Sequence, residues 1–187
     1  MLDKMKNSLE EAKREIGEII NNLNSTTACF TGHRSQKLPW GFNENDARCL
    51  TMKAALRLEI IKAIDRGYKT FISGMAIGFD MICADMVLDL KKKYPDIKLI
   101  GALPCRTQDC KWSEKDRRRC RELLKRLDGV RCIYDEYIGA ECMFERNRYM
   151  VNNSSLLIAL FNGRGGGTKS TIDYAKAQGL EIVIVKP

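Results

Sequence analysis

Apolar residues recur at positions 2, 5, 9, 12, 16, 19 and 23 as Leu, Met, Leu, Ala, Ile, Ile and Leu. This alternating spacing of three and four predicts an amphipathic helix of about three heptads. Two surfaces could cover its stripe. Docking on the chain's own core is the expectation, because a coiled coil asks for more heptads with charged flanking positions. Pairing in a homodimer is the alternative.

Beyond Asn24 the pattern changes to short apolar runs alternating with helical stretches. Strands are predicted at Thr27–Thr31, Lys69–Ile72, Lys98–Leu103, Val130–Tyr134, Leu156–Leu160 and Glu181–Val185. Helices are predicted at Asp46–Arg66, Gly78–Lys93, Ser113–Leu127, Met143–Asn152 and Lys169–Gln178. The first of these is read with an apolar face at Leu50, Ala54, Leu58, Ile61 and Ile64. Strict β/α alternation implies right-handed crossovers and an open parallel sheet with helices on both faces. The nearly continuous apolar strands fit a sheet buried on both sides. The organisation is therefore an N-terminal helix, residues 1–24, and an open-sheet α/β domain, residues 25–187.

Composition narrows the class. The chain has 187 residues, 44% of them hydrophobic and 30% charged, as expected of a globular protein. No apolar run approaches the ~18 residues of a membrane span. Residues 1–24 lack the apolar core of a signal peptide. Eight cysteines without such a signal fit reduced thiols in a cytoplasmic protein. His33 is the single histidine, and neither a metal site nor a resident cofactor is expected. The net charge of +8 points to acidic ligands or partners. Ten basic and five acidic residues lie between Arg106 and Arg131. That stretch, with Arg117-Arg118-Arg119, is read as a solvated helix face. Nearly no aromatic residues interleave it, so nucleic acid is possible as a partner but not favoured.

In an open parallel sheet, ligands bind beyond the carboxyl ends of the strands. The first strand runs into Gly32-His33-Arg34. Gly32 permits close backbone approach, Arg34 suits a phosphate or carboxylate, and His33 can transfer a proton near neutral pH. The second strand runs into Ser73-Gly74-Met75, with Gly78 and Asp80 at the next helix start. Exposed N–H groups there attract anions, and Asp80 suits a ribose hydroxyl. The fifth strand runs into Gly163-Arg164-Gly165-Gly166-Gly167-Thr168. Consecutive glycines can form an anion-binding nest, with Thr168 capping the following helix. Gly163 to Ser170 nearly matches a P-loop but carries Thr168 where that pattern requires glycine. Trp112 could stack on a base or anchor its loop. Arg146 and Arg148 must face different ways on one helix, so one can serve the site.

Five blocks in order resemble the YpsA-like branch of the SLOG superfamily. They are Phe30–Arg34, Lys37–Gly41, Phe71–Asp80, Arg146–Val151 and Gly165–Thr168, spread over Thr27 to Val185. The resemblance implies a Rossmann-like fold that binds a nucleotide-derived ligand in the glycine-rich crevice. Two relatives define the alternatives. The phosphoribohydrolases of the LOG group carry a catalytic glutamate in PGGxGTxxE, where this chain has Thr171. DprA, a single-stranded DNA-binding protein, has motifs similar to Ser73–Asp80 and Arg146-Asn147-Arg148.

The expected function is binding or sensing of a nucleotide-derived small molecule, ADP-ribose- or NAD-like. Its ligand-binding residues are expected to be Gly32, His33, Arg34, Ser73, Gly74, Met75, Gly78, Asp80, Trp112, Arg146, Asn147, Gly165, Gly166, Gly167 and Thr168. The alternatives are an enzyme acting on such a ligand, with His33 or Asp80 as acid/base candidates, and DprA-like single-stranded DNA binding.

Overall fold

The computed structural model describes residues 2–187, with side chains described from Leu9 onward. The strands are β1 (Thr27–Gly32), β2 (Thr70–Ser73), β3 (Lys98–Cys105), β4 (Gly129–Tyr134), β5 (Leu156–Leu160) and β6 (Glu181–Val185). The helices are α1 (Leu2–Ser25), α2 (Ala47–Asp65), α3 (Phe79–Leu90), α4 (Glu114–Leu124), α5 (Glu141–Asn152) and α6 (Gly167–Ala177). All strands pair in parallel, in the order β4-β3-β2-β1-β5-β6. This is the open parallel α/β architecture expected from the alternation, and it is Rossmann-like as the resemblance implies.

The central strands explain why the sheet is two-sided. Successive side chains of a strand point to opposite faces. Phe30 and Ile158 therefore enter one core, with Cys49, Met52 and Leu56 of α2 and Phe79 of α3. Cys29, Leu157 and Ala159 enter the other, with Met150 of α5 and Ile172 of α6. Phe30 and Phe71 stack at 6.0 Å inside the first core. Each fully buried large side chain contributes roughly 1.5–3 kcal/mol of transfer free energy.

The chain winds outward from β1 to β4, then crosses back through α5 to place β5 on the other side of β1. The order thus reverses between β1 and β5, which opens a crevice at their carboxyl ends.

Two expectations need correction. The buried stripe of α2 is Cys49, Met52, Leu56, Ile60 and Ala63, not the one containing Leu50 and Leu58. Leu50 and Leu58 are exposed. Both stripes keep the helical period, and α2 is apolar around enough of its surface to hide the phase. The apolar stripe of α1 does not dock on the core either. Leu9, Ile16, Ile19 and Leu23 are exposed, whereas the side chains of Leu2 and Met5 lie outside the described residues. The end of α1 meets the domain through Asn24 Nδ2, which donates to the Asn152 carbonyl at 3.2 Å. Ser155 Oγ also donates to the Ser25 carbonyl at 2.9 Å. No helix among the described residues is long and apolar enough to cross a membrane.

Candidate functional site

The crevice holds a cleft of about 240 Å³. One wall is the end of β1 and the turn after it, with Gly32, His33, Arg34, Gln36 and Lys37. The opposite wall is the loop after β5 and the start of α6, Gly165 to Thr168. Its floor and side include Asp80 of α3 with Arg146 and Asn147 of α5.

Close packing makes the first wall. A Cβ on Gly32 would overlap the Phe79 side chain. Gly78 has φ 103° and lies against the backbone of His33 and Ser35, so glycine is required there on both counts. The Phe79 N–H donates to the His33 carbonyl at 3.3 Å, which ties the β1 turn to the start of α3. His33 then crosses the crevice. Its Nε2 lies 3.1 Å from Asn162 Oδ1, and its Nδ1 lies 3.5 Å from Thr168 Oγ1. Both ring nitrogens thus meet the β5 side, and the imidazole braces the two walls.

Ser73, Gly74 and Met75 form the support beneath the cleft. Ser73 Oγ donates to the Asp80 carbonyl at 2.8 Å and accepts from the Met75 N–H at 3.2 Å. Met75 is a non-glycine residue at φ 54°, a sparsely populated conformation held by this packing. The Arg146 guanidinium donates to the Gly74 carbonyl. A Cβ on Gly74 would occupy the space of that guanidinium. The β2 glycine therefore serves the cleft indirectly, by making room for an arginine.

Arg146 is the main charge of the site. Its side chain is 7% exposed, and its Nη1 lies 3.4 Å from Asp80 Oδ2. Its buried Nε has no hydrogen-bond partner. Burial pulls the guanidinium pKa down, with the Asp80 charge acting the other way. Burial pushes the Asp80 carboxyl up, opposed by the Arg146 charge and by the Ala76 N–H. Arg34 acts electrostatically on both members of the pair. Two residues further along α5, Arg148 faces out to Glu145 and Glu141.

The glycine-rich wall differs from the sequence expectation in the cap of α6. Thr168 does not cap α6; it lies within the helix, buried and facing His33. The cap position belongs to Gly166, which makes no side-chain cap bond. Gly166 also takes φ 131°, a conformation that favours glycine. A Cβ on Gly165 or Gly167 would meet open space. The first N–H groups of α6 are therefore bare and border the cleft, as an anion site requires. Asn147 Nδ2 donates to Thr171 Oγ1 at 2.9 Å, tying α5 to α6 behind this wall.

Matching the geometry, the profile of the YspA SLOG family covers residues 28–182. The chain belongs to this family. A UPF0398 protein of Brevibacillus brevis is 27% identical over 138 residues, 73% of each chain. The uncharacterized SPbeta prophage-derived protein YoqJ of Bacillus subtilis is 32% identical over 117 residues, 57% of this chain and 68% of YoqJ. Among solved structures, DprA of Streptococcus pneumoniae superposes on 87% of this chain with a TM-score of 0.61 and 16% identity. DprA of Helicobacter pylori, whose structure concerns single-stranded DNA binding, covers 88% with a TM-score of 0.59, also at 16% identity. The SLOG chain spans 50% and 66% of those two DprA chains. These likenesses establish the fold, in agreement with the five sequence blocks.

Of the expected residues, Gly32, His33, Arg34, Asp80, Arg146, Asn147 and Gly165 to Thr168 line the cleft. Trp112 lines an adjoining cavity instead. Gln36, Lys37 and Met143 also line the cleft and are not among the expected ligand-binding residues. Lys37 had a signal: it follows Arg34 by three positions in the loop leaving β1.

Proposed function

We propose that the crevice binds a nucleotide-derived small molecule, ADP-ribose- or NAD-like, through its phosphate, and that the domain acts as a binding or sensing module. The observation that carries this reading is the unpartnered Nε of buried Arg146, lining a cleft that also receives the uncapped start of α6. A buried donor without a partner costs free energy. A phosphate in the cleft brings negative charge to the Arg146 guanidinium and meets the bare N–H groups of α6 at the positive end of the helix dipole. Arg34 and Lys37 on the facing wall add charge.

The fittings around the cleft favour binding over catalysis. Asp80 is committed to Arg146, and His33 is engaged by Asn162 and Thr168. Thr171 stands where the related hydrolases carry glutamate, and its hydroxyl donates to the Gly167 carbonyl at 2.9 Å. Single-stranded DNA binding is the second reading, supported by the fold likeness to DprA. The two separate by salt dependence, which is steep when many phosphates are neutralised.

The test is native mass spectrometry of the purified protein, with identification of any small molecule released on denaturation. A phosphate-bearing nucleotide derivative in stoichiometric amount is expected. Recovery of oligonucleotide alone overturns the reading in favour of DNA.

A further inference from the structure

The phosphate cleft has a neighbour. A second cavity of about 640 Å³ shares Arg34, Gln36, Ala76 and Met143 with it as common walls. Its other walls come from the loops after β1, β3 and β4 and from the start of α4. Three aromatic side chains from three different loops line it: Phe42, Trp112 and Tyr137. Trp112 packs against the core. Phe42 and Tyr137 are each 57% exposed, so core packing does not account for them. Gln108 and Asp116 add polar atoms, and Gln108 Nε2 donates to the Met75 carbonyl at 3.4 Å, linking this wall to the support of the cleft. Arg106 Nε donates to Asp135 Oδ1 at 2.7 Å, tying the β3 and β4 loops together.

Size and chemistry fit one bipartite ligand. At about 240 Å³, the cleft alone is smaller than the ~300–1,000 Å³ of ordinary ligand pockets. Joined to its neighbour, it falls within that range. The two halves also differ in character. One offers cations and bare N–H groups, and the other offers aromatic faces around a few polar atoms. Arg34 stands at the junction.

We propose that the Phe42–Trp112–Tyr137 cavity is the heterocycle subsite of the same ligand, stacking its planar base while the Gly165–Gly167 wall and Arg146 hold its phosphate. This rests on the reading of the cleft as a phosphate site. It assigns specificity to the second cavity. A phosphate without a base occupies the cleft alone and binds weakly, whereas a base-bearing phosphate spans both.

The test titrates wild-type protein and variants with ADP-ribose, AMP, NAD, ribose 5-phosphate, pyrophosphate, adenosine and a short oligothymidine, following heat and tryptophan fluorescence. The base-bearing phosphates should bind wild type at least about tenfold more tightly than ribose 5-phosphate and should change the tryptophan emission of wild type but not that of Trp112→Phe, which keeps only Trp40. Trp112→Ala should weaken base-bearing phosphates about tenfold and leave pyrophosphate unchanged, whereas Trp112→Phe should retain stacking and most of the affinity. Phe42→Ala and Tyr137→Ala, at exposed positions, should reproduce a smaller loss should Trp112→Ala fail to fold. Equal losses for base-bearing and base-free ligands overturn the subsite, as does unchanged ADP-ribose affinity in all three alanine variants. Absence of binding by every base-bearing small molecule also overturns it. Trp112-dependent binding of oligothymidine alone assigns the cavity to nucleic acid and overturns it too. Adenosine binding that needs Trp112, with no pyrophosphate binding, would instead sink the phosphate reading while keeping the aromatic subsite.

Discussion

Two arginine-bearing regions of this SLOG domain invite opposite conclusions when read by charge alone. Helix α4 carries Arg117, Arg118, Arg119 and Arg121, and the crevice carries Arg146 with Arg34 and Lys37 nearby. On α4 three of the four charges are answered by carboxylates, although the Arg117 Nε is itself buried without a partner. Arg119 bonds to both Glu44 and Asp85, and Arg117 and Arg121 share Glu114. These are mostly exposed pairs, each contributing ~0–1 kcal/mol. In the crevice a single buried arginine keeps an unpartnered Nε beside an uncapped helix start. What separates the regions is the cleft: Arg146 lines one together with the start of α6, so anion affinity is expected there and not where the charge count is highest.

The sharpest way to break this comparison is to exchange the two kinds of arginine. Arg146→Met leaves Asp80 buried without its cation and should cost about 3–5 kcal/mol of stability, read by chemical denaturation. Adding Asp80→Leu should recover much of that loss, because an apolar pair replaces a buried ionic one. Arg118→Gln, on α4, should change stability by less than about 0.5 kcal/mol. If Arg146→Met is as mild as Arg118→Gln, the crevice arginine is not the special one.

The glycine wall gives the next effect in size. Gly166→Val forces a branched residue into φ 131° and should weaken phosphate-ligand binding at least about tenfold. Gly165→Ala, where a Cβ meets open space, should leave affinity within about twofold. Similar affinities for the two variants in calorimetric titration would remove the nest from the account.

Neutralising Arg117, Arg118 and Arg119 together to Gln sharpens the other side. Stability should fall by about 1 kcal/mol, mainly through the Arg119 bonds to Glu44 and Asp85. Binding of nucleotide-derived ligands should not change. Loss of a sub-micromolar oligonucleotide affinity in this variant, with a steep salt slope in wild type, would contradict the solvated-face reading.

How much of this was legible from residues alone follows a physical line. The strands and helices could be read because apolar runs and helical periods are local properties. The helix face of α2 could not, since Leu50 and Leu58 are as apolar as the Met52 and Leu56 that the sheet actually covers. The glycines after β1, β2 and β5 could be assigned to one crevice, because the place of such a crevice follows from strand order. Their individual duties depend on neighbours far away in sequence. Gly74 makes room for Arg146, and Thr168 faces His33 and leaves capping to Gly166. The aromatic cavity joins three separate loops, so no local pattern in the chain announces it.

The smallest effect concerns a charge outside both regions. Asp46 caps α2, and the Arg48 side chain beside it holds its carboxyl at about 2, below the usual carboxylate value. A carboxyl depressed in the folded state stabilises above its unfolded pKa and loses that contribution as pH falls towards the folded value. The melting temperature should therefore drop between about pH 4 and pH 2. Asp46→Asn, which keeps a capping acceptor, should reduce that slope slightly. An identical pH profile in the variant would assign the acid sensitivity elsewhere.

The central claim is that the crevice is a phosphate site for a nucleotide-derived ligand. Its most direct measurement is isothermal titration of wild type and Gly166→Val with ADP-ribose, NAD and nucleoside mono- and diphosphates at physiological salt. At least one of these should bind wild type with Kd below about 100 μM and bind Gly166→Val at least about tenfold more weakly, roughly 1.4 kcal/mol. No binding by any of them, or equal binding by the variant, would contradict the claim.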